Sequence, residues 1–104
     1  MIRHCVFVRF APDTTPATRT SILAGIAGLE DAVPGLLAVH VGTNVSPEHG
    51  MDKGFADGFI IDFADAGARD AYLVDPEHQR VAAELVAAAA GGVDGILVYD
   101  LDVG

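Results

Sequence analysis

The chain has little positive charge, a single cysteine and no tryptophan. It carries 6 Lys and Arg against 15 Asp and Glu, which gives a formal net charge of −9. Nucleic acids and anionic membrane surfaces both attract clustered Lys and Arg, so we expect neither as a partner. Cys5 cannot form an internal disulfide. It lies in an apolar run, where we expect a buried, inert thiol.

Long apolar stretches are also lacking, so no segment has the length needed to span a bilayer. The first residues lead directly into a strand pattern without the layout of a signal peptide, and we expect a protein of the reducing cytoplasm. Aromatic residues make up only 7% of the 104 residues. The few Phe and Tyr side chains must therefore supply much of the packing area of one domain, residues 1–104.

Hydrophobic periodicity predicts four strands and two helical regions. The strands are expected at 2–10, 36–45, 54–63 and 95–103. The first helix is expected to begin after Thr14 or Thr15 and to end before Pro34, and the second region to begin near Ala64 and break at Asp75. This order predicts an α+β, ferredoxin-like β-α-β-β-α-β fold with an antiparallel four-stranded sheet.

Alternation along the first strand indicates two apolar faces. One face carries Ile2, His4, Val6, Val8 and Phe10, and the other carries Arg3, Cys5, Phe7 and Arg9. In the second strand, Leu37, Val39 and Val41 are expected on one face, and Leu36, Ala38 and His40 on the other. Both faces of the sheet therefore need cover.

Two right-handed crossovers would place both helices on the same face of the sheet. The other face would then expose more apolar surface than soluble monomers usually carry. We therefore predict a homodimer in which a second copy covers that face. The competing interpretation is a monomer with a polar open face.

Seven short segments, spread over nearly the whole chain, share their order and spacing with a known family. They are residues 4–10, 34–35, 42–46, 58–63, 71–73, 75–78 and 97–100. On these segments the chain resembles the stress-responsive A/B barrel (Dabb) family. The resemblance implies a dimeric α/β barrel, in which two curved four-stranded sheets face each other with the helices outside. Family members include plant stress-associated proteins and a plant polyketide cyclase.

Resemblance to the polyketide-cyclase members implies a catalytic pair, Tyr72 and His78. The tyrosine would position a substrate carbonyl, and the histidine would act as general base. The structural interpretation competes with this one. In it, Tyr72 packs on the sheet, and His78 occupies the first turn of a helix capped by Asp75.

Two positions depart from the family's pattern, because each has an acid in place of a histidine. The family often has His-Pro-x-His where this chain has Asp75-Pro76-Glu77-His78. It often has a histidine at the start of the third strand, where this chain has Asp57. Asp57 beside a histidine would form an acid/base pair. We predict that Asp57, His4 and Phe59 contact a substrate in the barrel cleft. For His4, which shares a strand face with Val6 and Val8, the competing interpretation is a satisfied core or interface residue.

A metal site and a bound cofactor are not predicted. His49 lies in a polar loop with Glu48 and Asp52, but these residues lack a metal-ligand spacing, and a solvated loop is the preferred interpretation. The chain also lacks a Gly-rich phosphate loop, zinc spacing and a Ser-His-Asp signature.

Two functions follow from these patterns. The first is a non-enzymatic or ligand-binding stress-type domain whose main act is dimerisation, with a small apolar or aromatic molecule as the ligand in the barrel cleft. The second is a small cofactor-independent enzyme, lyase-, cyclase- or monooxygenase-like, that uses His78 and Tyr72. A cavity on the order of a few hundred Å³ that holds both side chains together would favour the second.

Overall fold

A four-stranded antiparallel sheet forms the frame of the computed structural model, which describes residues 1–104. The elements are β1 (Ile2–Val8), α1 (Pro16–Ala32), β2 (Leu36–Thr43), β3 (Asp57–Phe63), α2 (Ala66–Leu73), α3 (Pro76–Ala88), a 3-10 turn (Gly92–Gly95) and β4 (Ile96–Asp102). The strand order is β2-β3-β1-β4. The predicted ferredoxin-like order is therefore confirmed, with the second helical region divided into α2 and α3.

The helices begin at the positions that the sequence signals indicate. The Thr15 side chain accepts a hydrogen bond from the Thr18 amide, and Pro16 opens α1. Asp65 and Asp75 cap α2 and α3 in the same way. The break between α2 and α3 follows from these caps, because a residue in the capping conformation ends one helix and begins the next.

The hydrophobic core lies between the sheet and the helices. It consists of buried side chains from one face of the strands and the inner faces of the helices: Val6, Val8, Phe10, Phe59, Ile61, Phe63, Ile22, Ile26, Leu29, Val33, Tyr72, Val81, Leu85 and Ala89. The expected division of β1 into two faces is confirmed, since the even-numbered residues of that strand point toward the helices. All three helices thus cover the same face of the sheet.

A β-bulge at the start of β2 changes the expected alternation. Leu36 pairs with Phe63, and Ala38 pairs with Asp62, so Leu37 is an extra residue in the strand. Leu36 therefore packs against the core, and Leu37 is 58% exposed. The prediction that Leu37 shares a face with Val39 was wrong, because the periodicity of two assumes a strand without insertions.

The face of the sheet that bears no helix is mostly apolar. The strand pairing aligns Phe7 with Leu97 and Cys5 with Tyr99 on this open face. Leu97, Tyr99 and Leu101 are each more than two-fifths exposed. A charged cluster lies among them, with the buried Asp62 carboxylate 3.1 Å from the Arg3 guanidinium.

Gly58 provides a test of the packing on the open face. A Cβ atom at this position would lie 2.6 Å from the Phe7 ring and 2.9 Å from the Val6 carbonyl oxygen. We expect Gly58→Ala to lower the free energy of unfolding by about 1–3 kcal/mol, measured by urea denaturation.

Gly42 is the matched control, because it pairs directly with Gly58 across β2 and β3. A Cβ atom there meets nothing within 4 Å. Gly42→Ala should therefore leave the stability close to that of the unmodified chain. Equal losses from the two substitutions would contradict the packing argument.

Candidate functional site

A cavity of about 330 Å³ lies between the sheet and helices α2 and α3. Its lining is mostly apolar and comprises His4, Val6, Ile26, Phe59, Tyr72, Leu73, His78, Ala82, Leu85, Val86, Val93, Ile96 and Val98. We expected the site in a cleft between two facing sheets. The cavity instead lies within one chain, on the helix side of the sheet, because Tyr72 and His78 come from helices that cover that side.

Three aromatic rings meet at the polar end of this cavity. The ring centroids of Tyr72 and His78 are 4.1 Å apart, and those of Tyr72 and His4 are 5.8 Å apart. Phe63 packs behind Tyr72 at 5.2 Å. Tyr72 comes from α2, His78 from the first turn of α3, and His4 from β1, so the site depends on three elements.

Tyr72 is buried, with 1% of its surface exposed. Its hydroxyl group makes no hydrogen bond within the chain, although buried polar groups usually have a partner. Burial raises the pKa of the Tyr72 phenol. The hydroxyl therefore keeps its proton at neutral pH and can donate a hydrogen bond to a molecule in the cavity.

His78 is half-buried against Tyr72, and its Nδ1 atom is buried without a hydrogen-bond partner of good geometry. Burial lowers the pKa of His78, and the nearby His4 lowers it further. The carbonyl of Leu73 and the carboxylate of Asp75 oppose this shift without cancelling it. A neutral imidazole at neutral pH can accept a proton from a bound molecule.

His4 is held by two residues to which the sequence assigned no role. Its Nδ1 atom lies 2.7 Å from Oδ1 of Asp100, and Oδ2 of Asp100 lies 2.8 Å from an Nη atom of Arg69. A signal for Asp100 was present in the sequence. Alternation in β4 puts this acid on the same face as Ile96 and Val98, toward the core, where a carboxylate needs partners.

Four of the five predicted site residues line the cavity together, namely His4, Phe59, Tyr72 and His78. Asp57 does not. It pairs with Val8 on β1, four residues beyond His4, which places it roughly 13 Å farther along the sheet. No histidine lies within hydrogen-bonding distance of Asp57, so the expected acid/base pair at this residue does not form.

In the loop that contains His49, hydrogen bonds within the loop hold the acidic side chain of Asp52. Asp52 accepts hydrogen bonds from the Asn44 side chain and the Gly54 amide. No group of three or more His, Cys, Asp or Glu side chains converges on one point in the chain. None of the helices combines the length and apolar character that crossing a membrane requires.

The lowered pKa of His78 predicts how stability depends on pH. The unfolded chain binds a proton at His78 near its ordinary pKa of 6.5, whereas the folded chain resists that proton. The free energy of unfolding should therefore fall as the pH drops below about 6.5 and through the folded pKa. Urea denaturation between pH 7 and 5 should show a smaller decline for His78→Gln. Parallel curves for the two proteins would contradict the expectation.

Comparison with known proteins agrees with this architecture. A family model described as the stress responsive A/B barrel domain matches residues 2–103. A dimeric ferredoxin-like protein of unknown function from Jannaschia sp. CCS1 is 35% identical, covers 98% of each chain and has a TM-score of 0.88. No protein of curated function matches the chain.

Two more distant structures share the fold. A protein of Arabidopsis thaliana is 23% identical over 100% of this chain and 96% of its own, with a TM-score of 0.88. A hydroxynitrile lyase from Passiflora edulis is 20% identical over 99% of this chain and 93% of its own, with a TM-score of 0.87. At these identities the likeness concerns the fold alone.

Proposed function

We propose that this chain, which belongs to the stress responsive A/B barrel domain family, binds a small, largely apolar molecule in the cavity between sheet and helices. One observation carries this proposal. The buried Tyr72 phenol, which has no hydrogen-bond partner in the chain, lines an apolar cavity, and the His78 ring lies 4.1 Å from it between centroids. A ligand oxygen would accept the hydrogen bond that the Tyr72 hydroxyl otherwise loses on folding.

The cavity limits the class of ligand. Its volume of about 330 Å³ is at the small end of ligand sites. Its walls are formed by aliphatic side chains such as Leu85, Val86 and Val98, which suit an apolar or aromatic body. The phenol of Tyr72 suits a carbonyl or hydroxyl oxygen. A small aryl ketone has all of these features.

Proton transfer on the bound molecule is the second candidate function. The observation that favours it is the lowered pKa of His78, which makes this imidazole a base at neutral pH. His78 would take a proton from the carbon next to a carbonyl group, while Tyr72 donates a hydrogen bond to the oxygen that gains charge. A hydroxynitrile lyase has the same fold, and this supports an enzyme as the second candidate.

A homodimer is the assembly that we propose for this chain. The open face of the sheet presents Phe7, Leu97, Tyr99 and Leu101, and its apolar character calls for cover. The 35% identical protein from Jannaschia sp. CCS1 is dimeric. A location in the cytoplasm stays a prediction, supported by the unpaired thiol of the buried Cys5.

Binding of phenylacetone, a small aryl ketone, tests the proposed function. We expect chemical-shift changes in amide NMR spectra at residues around the cavity, including Tyr72 and His78. Tyr72→Phe should weaken the affinity by about tenfold, because the ketone oxygen loses its hydrogen-bond donor.

Two substitutions on α3 separate binding in the cavity from binding elsewhere. Ala82 lines the cavity, whereas its neighbour Ala83 is exposed and does not. Ala82→Phe should fill the cavity and abolish the shift changes, and Ala83→Phe should preserve them. The proposed function is wrong if phenylacetone does not bind, or if both variants bind it equally.

A further inference from the structure

We infer that His4 is a second proton-transfer group of the cavity, and that Asp100 and Arg69 position it. The inference rests on the proposed function, because it requires a molecule bound in the cavity. It goes beyond that function by giving three residues outside the Tyr72–His78 pair a role in proton transfer. The observation behind it is a continuous row of hydrogen bonds from the surface to the cavity wall.

The row begins at Arg69 on α2, whose side chain is a quarter exposed. Its guanidinium donates to Oδ2 of Asp100 at 2.8 Å, and Oδ1 of the same carboxylate lies 2.7 Å from Nδ1 of His4. The His4 side chain is 7% exposed and lines the cavity. Both carboxylate oxygens of Asp100 are thus engaged, which fixes the ring of His4 in one orientation.

The charge of Asp100 determines which nitrogen of His4 carries a proton. Burial raises the pKa of the Asp100 carboxyl, but hydrogen bonds from Arg69 and His4 lower it by more, and it ends below its ordinary value. An ionised carboxylate only accepts hydrogen bonds. Nδ1 of His4 is therefore the donor, and Nε2, which has no partner in the chain, is free to exchange a proton.

Arg69 has a separate role in this arrangement. Without a nearby cation, partial burial would destabilise the negative charge of the Asp100 carboxylate, and the carboxylate would bind a proton more readily. The guanidinium offsets that charge from the far side of the carboxylate, 2.8 Å from Oδ2. Asp100 therefore remains an acceptor for His4. In this sense both residues act through His4 and do not touch the bound molecule.

The position of Tyr72 links the two histidines. Its ring contacts His4 at 5.8 Å and His78 at 4.1 Å between centroids. The His78 imidazole removes a proton from the C–H bond next to the ketone. The electron pair of that bond forms an enolate, whose oxygen accepts a hydrogen bond from Tyr72. Nε2 of His4 takes a proton from water and delivers it to the same carbon, and His78 gives the proton it removed to the hydroxide that remains, so both histidines return to their starting state.

This step leaves the ketone unchanged except for hydrogen exchanged with solvent, so no oxidant or reductant is needed. Exchange of the phenylacetone α-hydrogens in D2O, followed by proton NMR, therefore measures it directly. We expect the unmodified protein to accelerate this exchange. His4→Gln should slow the protein-dependent rate by about 100-fold, which is typical of the loss of one proton-transfer group.

Substitutions at the two positioning residues should act on the rate and not on binding. Asp100→Asn should slow the exchange by about tenfold while the affinity for phenylacetone stays unchanged. Arg69→Gln should slow it as well, and Arg69→Lys, which keeps the cation, should restore most of the rate. Asp102→Asn is the matched control, because Asp102 is an exposed acid two residues along β4. With this variant, the phenylacetone α-hydrogens should exchange at the same rate as with the unmodified protein.

A nitrogen-15 spectrum of the imidazole side chains gives a second readout, which does not depend on a ligand. His4 should carry its proton on Nδ1 in the unmodified protein and lose that preference in Asp100→Asn. A proton on Nε2 alone in the unmodified protein overturns the inference. So does unaltered exchange in His4→Gln and Asp100→Asn, although binding of phenylacetone would then still support the proposed function. Absence of binding overturns both.

Discussion

Leu97→Glu is expected to convert the proposed homodimer into a monomer. Leu97 lies on the open face of the sheet, opposite Phe7 on β1, and is 45% exposed in the single chain. A second copy that covers this face would bury the new carboxylate among apolar groups without a cation. An uncompensated charge in such an interface costs about 3–5 kcal/mol. The dissociation constant should therefore rise by at least about 100-fold.

Light scattering at micromolar concentration measures this effect. Val74→Glu is the control, because Val74 is 71% exposed but lies between α2 and α3, away from the open face. This control variant should remain a dimer. A monomeric unmodified protein would refute the proposed assembly, and a dimeric Leu97→Glu variant would place the interface on another surface.

Tyr72→Ala is expected to cause the largest loss of stability of any substitution proposed for this chain. The Tyr72 ring is 1% exposed and packs between Phe63, His4 and His78. Removal of a buried aromatic ring typically costs about 3–5 kcal/mol, because lost contacts and a cavity add to each other. For a domain of 104 residues this is a large part of the total free energy of unfolding.

Tyr72→Phe separates the ring from the hydroxyl group. Because the hydroxyl has no hydrogen-bond partner in the chain, its removal should change the free energy of unfolding by less than about 1 kcal/mol. Guanidinium denaturation of both variants measures the difference. A large loss in Tyr72→Phe would mean that the hydroxyl serves the fold, and the proposal that it awaits a ligand would then fail.

The contrast between these two variants also shows why the structural and functional interpretations of Tyr72 do not exclude each other. The ring belongs to the core, as the structural interpretation predicted. The same residue also lines a cavity together with His4 and His78. The core position is thus compatible with the proposed contact to a ligand through a different atom of the same side chain, because the ring of tyrosine is apolar and its tip is polar.

Local signals in the sequence were sufficient for most of the fold. Strand alternation predicted both faces of β1, and capping residues such as Thr15 and Asp75 predicted where helices begin. These features succeed because they depend on a few neighbouring residues. The same locality explains the error in β2. The bulge at Leu37 arises from how β2 pairs with β3, and the sequence of β2 alone does not indicate that pairing.

The candidate site was likewise predictable from the sequence only in part. The sequence by itself determined the fold class, the faces of the first strand, and the presence of Tyr72 and His78, because periodicity, caps and family spacing are written in short segments. Only the tertiary structure decided that the cavity lies inside one chain, that Asp57 is remote from it, and that Asp100 and Arg69 hold His4. The physical reason is distance along the chain. His4 and Asp100 are 96 residues apart in sequence, and only the register of β1 against β4 brings their side chains to 2.7 Å.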